Sequence, residues 1–97
     1  MISLLLTINL VGYLAGALTT LSLIPEIYKT WKKKEARDLS FHWLGMLSLG
    51  VAIWIVYGFE ISSPPIIVAN AVSLVLCVIQ IILAIKYDKI KFNSYLA

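Results

Sequence analysis

What this chain lacks, over three long stretches, is charge. Residues 1–25, 39–59 and 61–85 contain no Lys, Arg, Asp or Glu. Each stretch is at least as long as the ~20 residues a helix needs to cross the hydrocarbon core of a bilayer. Charged residues make up 13% of the 97 positions, against roughly a quarter in soluble domains. Hydrophobic residues reach 61% and mean hydropathy is +0.93, which excludes an ordinary soluble fold. Cysteine is nearly absent: Cys77 stands alone inside the third apolar run, so neither an intrachain disulfide nor a cysteine metal site is expected. The one histidine, His42, has no second ligand within helical reach, and interfacial hydrogen bonding suits it better than a metal. No nucleophile–base pair, phosphate-cradling glycine loop or carboxylate deep in an apolar run is readable. An enzyme is therefore not expected, nor is a cofactor. Basic residues are missing ahead of the first apolar run, so the positive n-region of a secretory leader is absent and a cleaved leader is not expected, although Ala15 and Ala17 are small.

What is there follows from where the charges sit. Three transmembrane helices are predicted over about residues 2–31, 39–59 and 64–87, within a single domain covering 1–97. The basic residues fall in two places. Lys29, Lys32, Lys33, Lys34 and Arg37 follow the first span, and Lys86, Lys89 and Lys91 follow the third. This placement explains the net charge of +3 without a nucleic-acid partner. The positive-inside rule puts the first connection and the C-terminal tail in the cytoplasm, with the N-terminus and the turn at Glu60 outside, as in a multi-pass protein of the cell inner membrane. Ser40 or Asp38 is placed to cap the second helix, and Ser62 or Ser63 the third. Pro64 or Pro65 suits the first turn of that helix, where no amide hydrogen is needed. Tyr28, Trp31, Trp43 and Tyr87 lie at the predicted inner boundary, where amphipathic aromatics anchor to lipid headgroups. The tail from Tyr87 onward is expected to fray or to lie on the membrane surface.

Several residues are poorly suited to lipid. Pro25 lies in the inner part of the first span, removes a backbone bond to the carbonyl of Leu21 and crowds that turn. It serves either as a static kink or as a hinge. On the second helix, Trp54 lies about six residues, or ~9 Å, from the outer end, deeper than an interfacial tryptophan. Gly50, one turn further in, leaves space beside the indole. Trp54 either faces lipid or fills a packing gap, or it stacks on a flat, weakly polar ligand. On the third helix Asn70, Ser73, Cys77 and Gln80 recur at spacings of 3, 4 and 3, one polar stripe. Asn70 shares the depth of Trp54. Its amide either bonds across helices or binds a hydroxyl-rich ligand. Asn9, Gly12, Tyr13, Gly16 and Thr20 share one broad face of the first helix, and Gly12 and Gly16 form a small-xxx-small pattern that favours close packing.

Three helices enclose no passage, yet each carries polar or small residues. Two copies, oriented alike by the same charge bias, resolve this as a parallel homodimer with its two-fold axis along the membrane normal. Paired Trp54 and Asn70 would then ring a central cavity for a small polar solute, within a 3+3 helix bundle.

The stretches "IPEIYKTWKKKEARDLS", "WIVYG" and "IVAN" carry a resemblance over essentially the whole chain to the SemiSWEET sugar transporters, three-helix relatives of the SWEETs in the wider PQ-loop group. The resemblance implies a parallel dimer that carries a mono- or disaccharide down its gradient by alternating access. It also implies that Trp54 and Asn70 bind sugar, with Gly50 and Ser73 beside them, and that Pro25 is the hinge. By position, Leu23 and Trp43 are expected at the inner gate. Tyr57 is expected at an apolar outer gate flanked by Ile53 and Ile55. One departure stands out: the family's Pro-Gln pair is Pro-Glu here. Glu26 keeps an acceptor, loses the amide donors and can titrate. It is expected to pair with Lys29 or the basic cluster, the alternative being coupling of transport to protons, as in amino-acid carriers of the PQ-loop group. A further alternative is a membrane assembly subunit that transports nothing, its Asn70 serving only as glue.

Overall fold

Lipid offers no water to backbone amides, so a spanning segment must satisfy them internally, and a helix does so within one segment. The computed structural model describes residues 2–35 and 40–87. It contains α1 (Ile2–Leu21), α2 (Leu23–Lys33), α3 (Phe41–Glu60) and α4 (Pro64–Tyr87). Together α1 and α2 form one span of 32 residues, and α3 and α4 form the other two. Asp38, Arg37 and the tail beyond Tyr87, including Lys89 and Lys91, lie outside the described residues.

The first span is interrupted at Ser22, three residues before Pro25. Proline disturbs the turn that precedes it, because the carbonyl it strands belongs to the residue four positions back. Two hydroxyls loosen the same turn. Thr19 donates to the carbonyl of Gly16 at 3.0 Å, and Ser22 to that of Thr19 at 2.6 Å. Such bonds back to a helix's own carbonyls bend it. Ser22 itself stays in the right-handed region (φ −64°, ψ −21°), and its amide donates to Leu18 at 3.1 Å. The chain therefore bends at Ser22 and carries on as helix.

Ser40 caps α3: its side chain accepts from the amide of Trp43 at 3.2 Å. The start of α4 is built differently from the expected serine cap, since neither Ser62 nor Ser63 caps it with a side-chain hydrogen bond. The amides of Ile61, Ser62 and Ser63 turn back onto Tyr57, Phe59 and Gly58, closing the end of α3. Pro64 and Pro65 have no amide hydrogens, and Ile67 already donates to Ser63. Of the first helical amides only that of Ile66 lacks a partner, so a serine cap has little left to satisfy.

In space α4 lies between the other two spans: it packs on α1, α2 and α3, whereas α3 has at most marginal contact with α1 or α2. The extents are 55 × 26 × 14 Å, and the smallest is little more than the ~10–12 Å diameter of one helix. The fold is thus a slab one helix thick and three helices wide. Its seams rest on small side chains. A Cβ on Gly12 would meet Pro65 at 3.0 Å, and one on Gly16 would meet Ala69 at 2.5 Å. On the other seam Leu44 and Ala84 are fully buried, with Phe41 and Ile81 packed around them, and Gly58 admits Ile66 and Ile67. Most remaining large apolar side chains point outward, as suits a protein whose solvent on the flanks is lipid.

Gly16→Ala should therefore destabilise the fold by about 1–3 kcal/mol through overpacking. Gly45→Ala, where a Cβ meets nothing within 4 Å, should leave the midpoint unchanged or raised. Thermal unfolding in detergent, followed by helical circular dichroism, compares the two.

Candidate functional site

The polar stripe of α4 divides by use. Ser73 is buried and sits 2.8 Å from the hydroxyl of Thr20, which also donates to the carbonyl of Ala69 at 3.2 Å. Cys77 is buried beside Ser48 of α3. Gln80 is buried, and its amide nitrogen donates to Thr30 of α2 at 3.0 Å. Each of these three joins α4 to a neighbouring helix. Asn70 does not. Its amide donates to Ile66, on its own helix, at 2.8 Å, leaving its second N–H and its carbonyl oxygen uncommitted.

Asn70 opens onto a cleft of about 670 Å³ on one face of the slab, to which all three spans contribute. From α1 come Gly12, Gly16 and Thr19, and Leu23 follows from the start of α2. Trp43, Gly50 and Trp54 come from α3, and Pro65, Asn70 and Ser73 from α4. A Cβ on Gly50 would meet nothing within 4 Å, so the space beside the Trp54 ring is open. Trp54 is 52% exposed although it lies well inside the predicted span. Tyr57 stands edge-on to it, with centroids 5.4 Å apart and planes at 82°.

Of the residues singled out in the sequence, Trp54, Asn70, Gly50, Ser73, Leu23 and Trp43 line this one cleft. Tyr57 lies outside it, in a shallower hollow shared with Gly50, Ile53 and Trp54. Pro25 and Glu26 do not line it either; both are exposed on α2. Among the described residues the Glu26 carboxylate has no basic partner, so it forms no ion pair with Lys29, Lys32, Lys33 or Lys34; Arg37 lies outside the described residues. Lys32 instead lies over the Tyr28 ring, 5.6 Å from its centroid, and Tyr28 neighbours Trp31 at 6.3 Å. An exposed pair gains little against the entropy of fixing two long side chains, so its absence is not costly.

Sequence reasoning missed Thr30 altogether and counted Thr20 only among packing residues. Neither has a local signature as an interhelical partner, because the groups they meet lie 50 and 53 positions away. Pro65, noted only as a helix starter, also forms part of the cleft wall.

Residues 3–91 match a family model described as sugar efflux transporter for intercellular exchange. The chain belongs to the SemiSWEET sugar-transporter family. It is 46% identical over 66 residues to a protein of Leptospira biflexa named sugar transporter SemiSWEET, spanning 68% of this chain and 78% of that protein. It is 32% identical over 80 residues to one of the same name from Bradyrhizobium diazoefficiens, with 82% and 93% coverage. A solved structure described as a bacterial homologue of SWEET transporters superposes with a TM-score of 0.80 at 42% identity, over 81% of this chain and 95% of that one. This is a family of transporters, not of enzymes.

Because Asn70 makes no bond across helices, Asn70→Leu should leave the thermal midpoint of this protein unchanged. Thr20→Val should lower stability by about 0.6 kcal/mol, an average interhelical bond. A loss of folding in Asn70→Leu would instead make Asn70 a structural residue.

Proposed function

We propose that the chain carries a mono- or disaccharide down its gradient, as a parallel homodimer working by alternating access. The observation that carries this reading is the half-built cleft: one slab supplies Trp54, Asn70 and Gly50 on an open face and no opposite wall. A second copy, related by a two-fold axis along the membrane normal, supplies that wall and doubles the site. Its volume lies within the ~300–1,000 Å³ typical of small-molecule sites.

The chemistry suits a sugar. A pyranose offers C–H faces that stack on an indole and hydroxyls that both donate and accept. Each Asn70 has one free N–H and a free carbonyl oxygen, so a pair offers two donors and two acceptors at one level. Ser73 adds a hydroxyl held in place by Thr20. Two Trp54 rings close the sugar from either side. Pro25 and the bend at Ser22 supply the hinge about which the inner half of the first span moves, with Leu23 and Trp43 at the inner gate. The outer gate is apolar, with Tyr57 behind Trp54. The basic end of the slab faces the cytoplasm and the N-terminus lies outside, in the inner membrane of a cell.

No acid lies deep in a span, which favours uniport over active transport. The purely structural alternative for Asn70 is disfavoured by its bond to its own helix. Glu26, exposed and with no basic partner among the described residues, keeps proton coupling as the one competing mode.

Uptake of labelled glucose and sucrose into proteoliposomes without an ion gradient tests this reading. Saturable uptake is expected, lost in Trp54→Ala and in Asn70→Ala while the dimer survives on size exclusion. No uptake of either sugar would overturn it. Under uniport, Glu26→Gln leaves the rate and its pH profile unchanged; a pH-dependent uptake that this substitution abolishes would make the carrier proton-coupled.

A further inference from the structure

Two threonines tie the first span to α4 by hydrogen bonds, one on each side of its bend. Before the bend, Thr20 of α1 meets Ser73 at 2.8 Å. After it, Thr30 of α2 accepts from the amide nitrogen of Gln80 at 3.0 Å. The hydroxyl proton of Thr30 goes to the carbonyl of Glu26 at 2.9 Å, which leaves its lone pair facing Gln80. Thr20 and Thr30 are both buried in a span that is otherwise largely exposed.

The two ties differ in completeness. The Thr20 hydroxyl has two partners, Ser73 and the carbonyl of Ala69. Gln80, only 4% exposed, has its carbonyl oxygen buried without a partner. Such a group in a native structure calls for an explanation, since the dry state leaves it unsatisfied where water would satisfy it.

We propose that Gln80 is a positioning residue of the transport cycle: it latches α2 onto α4 through Thr30, and the latch releases while Thr20 keeps α1 in place. This rests on the alternating-access reading above. The bend at Ser22 separates the two ties, so α2 moves away from α4 without disturbing α1. When α2 swings out, the inner end opens to water, which reaches both ends of the Gln80 amide. The unpartnered oxygen thus weighs against the latched state and in favour of the open one. A fully satisfied amide would hold α2 more firmly and slow the cycle.

Hydrogen exchange of the purified protein in lipid nanodiscs, read segment by segment, tests the latch without requiring sugar transport. In Thr30→Val, amides of residues 28–33 should exchange about threefold faster than in the natural chain, the worth of an average interhelical bond, while those of α1 keep their rates. Thr30→Ser should restore the natural pattern. Gln80→Met, which removes the amide but keeps the length, should speed α2 alone as well, and carries the test if Thr30→Val does not fold. Thr20→Val should speed the inner turns of α1 instead. Equal changes in α1 and α2, unchanged α2 rates in both latch variants, or failure of Thr30→Ser to restore the pattern would overturn the proposal. An α2-selective response in a protein that takes up no sugar would leave the latch standing and remove the sugar reading.

Discussion

Apolar side chains are no better off against one another than against lipid tails, so nothing analogous to hydrophobic collapse assembles these three spans. What holds them is close backbone approach where side chains are small, with hydrogen bonds where polar groups have nowhere else to go. Both devices converge on α4. Its N-terminal half receives Gly12 and Gly16 of α1, its polar stripe bonds to α1 and α2, and its opposite flank packs on α3 around Leu44 and Ala84. The last helix in the chain is therefore the middle one in space. The flatness of the slab follows, because the outer spans touch a common partner and scarcely touch each other.

That flatness accounts for the half-site. A three-helix bundle packed as a triangle would bury the polar groups of every helix along its axis. A row of three buries only the seams and leaves one face on which Trp54, Gly50 and Asn70 stand open. On the proposed alternating-access reading the same arrangement suits a hinge. The break at Ser22 divides one outer span, and α4, against which α2 would move, is held from the other side by α3. Motion of α2 would then change one end of the cleft and leave the Trp54–Asn70 level, which belongs to α3 and α4, in place.

The parts of this picture that the sequence makes legible are those set by one-dimensional rules. Three charge-free runs mark the spans, because an unpaired charge in hydrocarbon is expensive wherever it falls along the chain. The shared depth of Trp54 and Asn70 follows from counting residues inward from the Glu60–Pro64 turn, and the structure places both on one cleft. Pro25 marks the bend to within a turn, although Ser22 and Thr19 decide where the helix gives way. What stays hidden depends on pairings between distant positions. The polar stripe of α4 looks uniform by spacing, and only its partners separate Asn70 from Ser73, Cys77 and Gln80. The central place of α4 is hidden for the same reason: glycine at positions 12 and 16 signals a close neighbour but not which helix it is. The pairing expected for Glu26 is absent among the described residues for a different reason. Proximity in sequence supplied candidate cations, but an exposed pair has too little energy to fix its own geometry.

The division within the stripe also explains why Asn70 keeps more free hydrogen-bonding capacity than Ser73, whose hydroxyl is already engaged by Thr20. In a low-dielectric seam a polar group with a protein partner is held, and one without a partner is costly. Ser73 and Gln80 sit in the seam and take their partners from the facing helix. Asn70 sits only about 60° round the helix from Ser73, but on the side of the open cleft, and satisfies one donor on its own backbone. Its remaining donor and acceptor have no partner among the described residues, and in the proposed dimer they would be open to hydration or a solute. The selectivity of such a site for hydroxyl-bearing ligands does not require any charge. It requires that the amide have no better partner within the protein, and the one-helix-thick architecture ensures that it has none.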